Sequence, residues 1–577
     1  MSEQFSSFSD DPPKSFYTNW VVPVLACLTV CIPLMSGFFQ GNLLGQDERI
    51  GDRANSLWLH WYAAEQWQWG EPFGQVDVFV HPIGVDLWSE LFNVLDAFVS
   101  IPLVWMFGWG AHYNVLVVTL SILAVVSGRL WASLWTDSTV VAWLSGLLFA
   151  GGTSLFYAVE VGRIVQVGIA VVPLGMWAVH RLRDQGSWQR GLLAGMTVGL
   201  AGTWYLYWGY GLVIWTLLWC PWRRAFKDVG WWVFAIVGLL MAYLNLAHLD
   251  AGYLEQQVLS QPSMFPTLSE AFQPEHYDTA GAIIDGSLSI GWLGWSTSHS
   301  VSMLLMLCAF FGFWSERRDE GRLVGVGLLV FAILGMGPYW FSDAGIPGTG
   351  QMVFQNPLYM LMYEHVPLID RMHWLHRWLP FLAALLIPWA TTGMHHMAIR
   401  FGKGIWLIPI LLLGEWGYKG QMVTSSTEPL QSNCYHDMSK GDTPIVLLPF
   451  SYSSRAAVFQ PIHGHPIWNP ISISYEEARW PLEYKASLNT PLLEWVRTTD
   501  VPTSRISPPS AIRSSAEDVN VSHIVYHRRY LQDALYDPKA PTPIDVDDNT
   551  RIQSITEGLG PPDCSDTEIV VWTVQTQ

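Results

Sequence analysis

Charge is what this sequence is shortest of. Only 14% of its 577 residues are Asp, Glu, Lys or Arg, whereas a soluble globular chain carries about 25%. What charge there is leans acidic. The 48 Asp and Glu against 30 Lys and Arg leave a net charge of −18, which argues against nucleic acid as a partner, because phosphate backbones are held by basic surfaces. Cysteine is scarce as well. Six cysteines are too few for a disulfide scaffold. Cys27, Cys31, Cys220 and Cys308 fall in apolar runs and read as core residues, while Cys434 and Cys564 lie in a polar C-terminal part and can pair if that part is outside the cytoplasm. There is no Walker motif, no G-x-S-x-G, no H-E-x-x-H, no internal repeat and no low-complexity tract. GIPGTG at 345–350 lacks the strand-to-helix context of a nucleotide loop.

What is abundant is apolar. Half of the chain is hydrophobic and 33 residues are Trp. Apolar runs of about 20 residues, enough to cross a bilayer core of ~30 Å, recur through the first 420 positions, so the chain reads as a polytopic α-helical membrane protein. The first run, Trp20–Phe39, is too long for a signal-peptide h-region, follows an acidic stretch and precedes no A-x-A site. It reads as a retained helix. The short loops around Arg181/Arg183/Arg190, Arg223/Arg224/Lys227, Arg317/Arg318/Arg322 and Arg400/Lys403 are the basic ones and are cytoplasmic by the positive-inside rule. Working outward from them predicts eleven spans, near 20–40, 111–133, 138–158, 163–181, 189–204, 205–220, 230–247, 298–314, 323–341, 375–398 and 405–420. The short pair 189–204 and 205–220 also fits one re-entrant unit without changing the parity. The odd number puts the N-terminus (1–19) inside and the C-terminus outside. Loops 41–110, 248–297 and 342–374 are then external, as is everything from 421 to 577. Ser56–Trp69 and Leu91–Trp109 read as juxtamembrane helices at the interface; the alternative is that 93–109 spans, which would force another segment not to.

Beyond about 425 the pattern changes. PIVLLPF (444–450), VSHIVYH (521–527) and EIVVWTV (568–574) are short, β-branched and bounded by turn residues, which predicts strands. TPLLEWVRTT (490–499) predicts a short helix with Thr490 as N-cap and Pro491 at its first position. The tail is a small α/β module.

Several stretches carry candidate chemistry. Directly after the first span, GQDERIGDRANSLWLHWY (45–62) gathers Asp47, Glu48 and Asp52 with Arg49 and Arg53. Carboxylates beside an apolar surface have raised proton affinity and serve as bases, and the same donors admit a divalent ion. Trp58, His60 and Trp61 beside them form a wall that faces a substrate or the membrane surface. DVFVHPIGVDLW (77–88) sets a turn after His81 in the same loop. YAVEVGRIVQ (157–166) places Glu160, Arg163 and Gln166 at an external span end, where Glu160 and Arg163 suit either a local ion pair or a lipid phosphate. PLIDRMHWLHRW (367–378) packs Arg371, His373, His376 and Arg377 into an external cationic patch, suited to phosphate by the planar guanidinium fork or to anionic headgroups. His463-Gly-His465 has the form of a metal pair but no third ligand is evident in the tail.

Taken together, these stretches resemble the bacterial polytopic glycosyltransferases of the GT-C superfold, in particular members with a C-terminal extracytoplasmic module. The resemblance rests on GDRANSLWLHW (51–61), VFVHPIGVDL (78–87), VGRIVQVGIAVVPL (161–174), HVPLIDRMHWLHRW (365–378), VLLPF (446–450) with HGHPIW (463–468), and HIVYHRRYL (523–531). It departs from the family's R-x-P-x-R segment, since no Pro stands between Arg371 and Arg377. The resemblance implies a GT-C membrane domain over 20–420 and an enzyme of the inner membrane. Such an enzyme takes a sugar from a polyprenyl-phosphate carrier and transfers it to a glycan, lipid or protein acceptor on the outer face. It implies Asp52 as general base by motif, or Asp47 by position with Glu48 beside it. Arg163, Arg371 and Arg377, with His373, would hold the donor phosphate, and His60, Trp61 and His81 would line the substrate. A lipid-carrier flippase and a non-catalytic assembly protein on the same shell are the alternatives. Nearly charge-free span interiors favour the enzyme over the flippase.

Overall fold

The computed structural model describes residues 20–35, 42–45, 50–68, 75–78, 84–86, 95–246, 300–314, 319–335, 339–341, 352–365, 375–419, 426–427, 432–438, 441–448, 459–468, 514, 520–528, 548–567 and 569–574. The fold is mostly helical with a small mixed sheet near the C-terminus. The helices used below are α1 (Val22–Cys31), α2 (Ile50–Trp61), α3 (Leu95–Phe107), α4 (Ala111–Ala132), α5 (Thr139–Ala150), α6 (Thr153–Glu160), α7 (Ile164–Val167) and α8 (Val171–Asp184). They continue as α9 (Trp188–Trp204), α10 (Leu206–Trp219), α11 (Val229–Leu246), α12 (Met303–Phe313), α13 (Asp319–Gly335), α14 (Leu379–Phe401) and α15 (Ile408–Tyr418).

Among the described residues two helical stretches, Ala111–Ala132 and Leu379–Tyr418, are long and apolar enough to cross a membrane. A third qualifies if Thr139–Ala150 and Ser154–Glu160, bent by 44°, form one span. Among the described residues the helices therefore do not display eleven full-length spans. Several of the predicted spans appear as apolar helices of 10–17 residues. The breaks have local causes. Tyr205, with φ −160° and ψ 120°, ends α9 and starts α10. Gly162, at φ +74°, turns the chain between α6 and α7. Outward-facing apolar side chains mark the surface: Leu28 on α1, Leu239 and Leu244 on α11, Leu307 and Phe310 on α12 are each more than half exposed. An apolar surface of this extent suits hydrocarbon rather than water.

Close helix approach replaces the hydrophobic effect where both helices face lipid. Gly191, Gly195 and Gly199 recur every fourth residue along α9, and a Cβ on any of them would run into Gly230, Phe234 and Val237, or Met241 of α11. Elsewhere a buried polar staple serves. Glu415 on α15 accepts from Met303 N at 2.8 Å, Leu304 N at 3.3 Å and Ser302 Oγ at 3.0 Å. A carboxylate thus caps the N-terminus of α12, where backbone N–H groups lack helical partners. Lys419 Nζ, 2.7 Å away, neutralises it.

Helix α2, expected to be amphipathic, is enclosed on several faces by protein. Arg53, Ala54, Leu57, Trp58, Leu59, His60 and Trp61 are all buried, because α3 covers one face and the C-terminal module another. The module meets α2 through Gln460. Its Oε1 accepts from Trp58 Nε1 at 2.7 Å and its Nε2 donates to Val78 O at 3.1 Å. The sheet of that module runs in the order β1 (Ile445–Leu448), β2 (His523–His527), β4 (Ile569–Thr573), β3 (Cys564–Ser565). β1 and β2 are parallel, and the other two pairs are antiparallel. Its three main strands fall inside the predicted β-branched runs. Cys434 and Cys564 form a disulfide that staples Asn433–Asp437 to β3. The helix expected at 490–499 lies outside the described residues.

Candidate functional site

The site is built around a corner. Helix α6 ends at Glu160, Gly162 takes a left-handed turn, and α7 begins at Ile164. The turn is closed by Arg163 N donating to Ala158 O at 2.8 Å and Gln166 N donating to Arg163 O at 2.9 Å. Two features demand glycine at 162. Its φ is one that L side chains rarely adopt, and a Cβ would collide with Arg53 Cβ. Gly162→Ala is expected to destabilise the protein by about 2 kcal/mol or more, from backbone strain plus overpacking. Thermal unfolding of the detergent-solubilised chain measures it.

Both ends of the acid-rich stretch reach this corner. At one end Gly45 sits where a Cβ would lie 2.8 Å from Val159 O and 3.1 Å from Glu160 O. At the other, Arg53 packs on Gly162 and donates from NH1 to Leu44 O at 2.9 Å. Residues 42–45 are also tied to α4, since Asn114 accepts from Leu44 N at 3.1 Å and donates to Asn42 O at 2.7 Å. Asp52 stands in the first turn of α2, next to Arg53. Asp47 and Glu48 lie outside the described residues, as do His81, Arg371 and His373.

Beside the corner lies a small, partly open recess. Tyr157 from α6 and Gln166 from α7 form one wall, Tyr205 and Trp208 from the α9–α10 break form another, and Arg377 closes it just before α14. Arg377 is held by aromatic faces, its guanidinium 4.9 Å from the Tyr207 ring centroid and 5.2 Å from that of Tyr205, a cation–π arrangement. The recess therefore offers one fixed cation, phenol hydroxyls, an amide and indole surface. That is a lining fit for an anionic group attached to something less polar. Arg163 belongs to the same corner, half-buried, but is not among the residues that line the recess.

His60 and Trp61 are enclosed by protein, at 0% and 7% exposure. Gly110 N donates to His112 Nδ1 at 3.2 Å, so the neutral His112 carries its proton on Nε2. That nitrogen lies 3.0 Å from His60 Nδ1, and His60 Nε2 lies 3.3 Å from Asp96 Oδ2. The result is a one-way chain of hydrogen bonds, His112 to His60 to Asp96, that locks α2, α3 and α4 together. Asp96, His112 and the tyrosines of the recess were not singled out from the sequence. The signal for the tyrosines was present in YLYWGY (205–210), an aromatic cluster at the junction of two short apolar segments.

A second cluster fills the C-terminal module. His463, buried, accepts from His465 N at 3.0 Å through Nδ1 and stacks on Tyr435 at 4.9 Å. Tyr435 Oη lies 3.0 Å from His527 Nε2, and His523 lies edge-on to His465 at 5.4 Å. Burial, then the neighbouring His465, His527 and His523, hold His463 well below the usual histidine value. Burial and His465 bring His523 down to about 4. Both rings stay neutral in the fold at a pH where the unfolded chain, titrating near 6.5, takes up protons. The module is therefore expected to keep full stability above about pH 7 and to lose it as the pH falls toward 4. The slope is at most ~1.4 kcal/mol per pH unit for each such group. Thermal midpoints across that range test this, and His523→Gln should flatten the loss.

No protein-family model matches the sequence, and no curated protein does. Solved structures do match. The oligosaccharyltransferase of Archaeoglobus fulgidus, in its complex with Zn and sulfate, superposes with a TM-score of 0.51 at 12% identity, over 90% of this chain and 70% of that one. The arabinofuranosyltransferase AftD from Mycobacteria gives 0.48 at 13% identity over 96% of this chain and 41% of that one. ArnT from Cupriavidus metallidurans bound to undecaprenyl phosphate gives 0.34 at 12% identity over 97% of both. The chain is thus similar in fold to the Archaeoglobus fulgidus oligosaccharyltransferase, at low sequence identity. At such identity the likeness speaks for the fold, and activity rests on the site.

Proposed function

We propose that this protein is an integral membrane glycosyltransferase. It transfers a sugar from a polyprenyl-phosphate donor to an acceptor hydroxyl on the extracytoplasmic face, with its N-terminus inside and its C-terminal module outside. The carrying observation is the corner Val159–Gly162. Both ends of the acid-rich stretch contact it, and its neighbours Tyr157 and Gln166 line the Arg377 recess. A proton acceptor and a phosphate-binding cation are the two groups this chemistry needs.

In the proposed reaction the acceptor oxygen attacks the anomeric carbon while Asp52, or Asp47 with Glu48 beside it, takes the hydroxyl proton. The bond from the anomeric carbon to the phosphate oxygen breaks, and polyprenyl phosphate leaves with the electron pair. Arg377 in the recess neutralises that leaving group, with Arg163, Arg371 and His373 as the remaining cationic candidates. Trp208 and the tyrosines offer the apolar face along which a prenyl chain or a sugar would lie. No step is assigned to a metal ion at the acid cluster. The GT-C shell of about eleven membrane segments belongs to the same proposal.

The test is direct. The purified chain in nanodiscs is given radiolabelled sugar on a polyprenyl phosphate, with a membrane lipid extract as acceptor. Release of polyprenyl phosphate together with label in an acceptor is the expected result. Movement of the intact labelled lipid between leaflets without any release would point to the flippase alternative.

A further inference from the structure

At the end of α8 opposite the recess, a group of ligand-type side chains stands apart from the site already described. His180 and Asp184 are four residues apart on one face of α8, and Glu320 reaches the same spot from the first turn of α13. Their ligand atoms all lie within 4.8 Å of one another. Helix α8 has 14 residues, so at 1.5 Å per residue the cluster is roughly 20 Å from the corner.

Carboxylates near a histidine are common on protein surfaces, so the state of the histidine decides the matter. His180 is 6% exposed, walled in by Trp131, Trp135 and Trp219 with ring centroids 5.8, 5.9 and 5.5 Å away. Its Nδ1 is buried without a partner, and its Nε2 lies 3.6 Å from Asp184 Oδ2, beyond hydrogen-bond reach. Among the described residues the ring makes no hydrogen bond at all, although a buried imidazole ordinarily finds one. No Lys or Arg among the described residues neutralises Asp184 or Glu320 either. The adjacent Arg183 is drawn off over the Trp219 ring, 4.6 Å from its centroid. Two carboxylates and an imidazole that makes no hydrogen bond converge, and the missing element is a cation between them.

We infer that His180, Asp184 and Glu320 form a binding site for a divalent transition-metal ion, Zn²⁺ being the best match, that joins α8 to α13. One nitrogen and two oxygens form a donor set Zn²⁺ accepts, with water completing the coordination. Ligand atoms around tetrahedral zinc, with bonds of about 2.0–2.2 Å, stand roughly 3.4 Å apart. Loading thus draws the carboxylates inward by about an ångström, and Asp184, 44% exposed, has room to turn. The tryptophan cage holds the imidazole, so the histidine is the fixed ligand and the carboxylates close on it. The role is structural, since the cluster is remote from the recess.

The experiment uses the full-length protein in detergent, stripped with EDTA and dialysed against micromolar Zn²⁺, with bound metal counted by mass spectrometry. Asp184→Asn and Glu320→Gln change partly exposed side chains at constant shape, so folding is checked by monodisperse elution, and either variant suffices if the other fails. Wild type is expected to bind one Zn²⁺ more than each variant, or to bind that ion at least ~10-fold more tightly. Zn²⁺ should also raise the thermal midpoint of wild type and leave that of the variants unmoved. Equal stoichiometry and affinity in all three proteins, or no zinc on the wild type, overturns the inference. Counting the difference keeps zinc held elsewhere, as at His463 and His465, out of the result.

Discussion

Arg377→Ala is expected to lower sugar transfer by roughly 100-fold or more while leaving the amount of folded protein in the membrane unchanged. The reasoning starts from where charge appears. When the bond from sugar to phosphate breaks, negative charge grows on the phosphate oxygens, and a fixed donor near them stabilises the transition state more than the ground state. On the proposed reading Arg377 is such a donor. Tyr205 and Tyr207 hold its guanidinium by their faces at 5.2 and 4.9 Å, so little reorganisation is needed as charge develops. Removing one preorganised donor of this kind commonly costs about 10²–10³ in rate. The loss should fall mainly on kcat, because an interaction that strengthens in the transition state contributes less to binding the donor. Arg377→Lys separates charge from shape. It keeps the cation but loses the planar fork and its stacking on the tyrosines, and should recover part of the rate, not all. If Arg377→Ala transfers sugar at the wild-type rate, the phosphate assignment is wrong, whatever the fold.

How much of this could be read from the residues alone differs from element to element. The strands of the C-terminal module were legible, because PIVLLPF, VSHIVYH and EIVVWTV carry β-branched runs with turn residues at both ends, and pairing them demands no special side chain. The membrane helices were legible as apolar but not as lengths. Hydropathy does not see the extended Tyr205 that splits 188–219 or the 44° bend beyond Ala150. The burial of helix α2 was not legible in its pattern. Its polar residues find partners inside the protein, Arg53 at Leu44 O and His60 at His112 and Asp96, and a periodicity argument assigns polar residues to water. The site was legible in part. Gln166 and Arg377, 211 positions apart, were flagged by separate motifs and do meet at one recess. Its aromatic walls, and the seating of Gly162 on Arg53, come from packing between segments that no local pattern connects.

The choice between Asp52 and Asp47 is where the largest effect is expected. On the proposed reading, Asn at the true base keeps the side chain's shape and removes its ability to take a proton. That should lower kcat by about 10²–10⁴-fold with little change in donor binding. Asn at the other position should cost far less, since that carboxylate would only add to the local field. Backbone placement gives Asp52 a definite address. It opens α2 beside Arg53, and Arg53 is fixed twice, by packing on Gly162 and by its bond to Leu44 O at 2.9 Å. Asp47 is two residues past Gly45, which the corner also contacts, so position alone does not separate them. The pair of variants does, measured as transfer per folded molecule across pH. Loss of the base should remove the acidic limb of the rate profile, whereas loss of a neighbouring carboxylate should only shift it. If Asp52→Asn and Asp47→Asn both transfer sugar at the wild-type rate with an unaltered profile, the proton goes elsewhere and the acid-rich stretch is not the catalytic base.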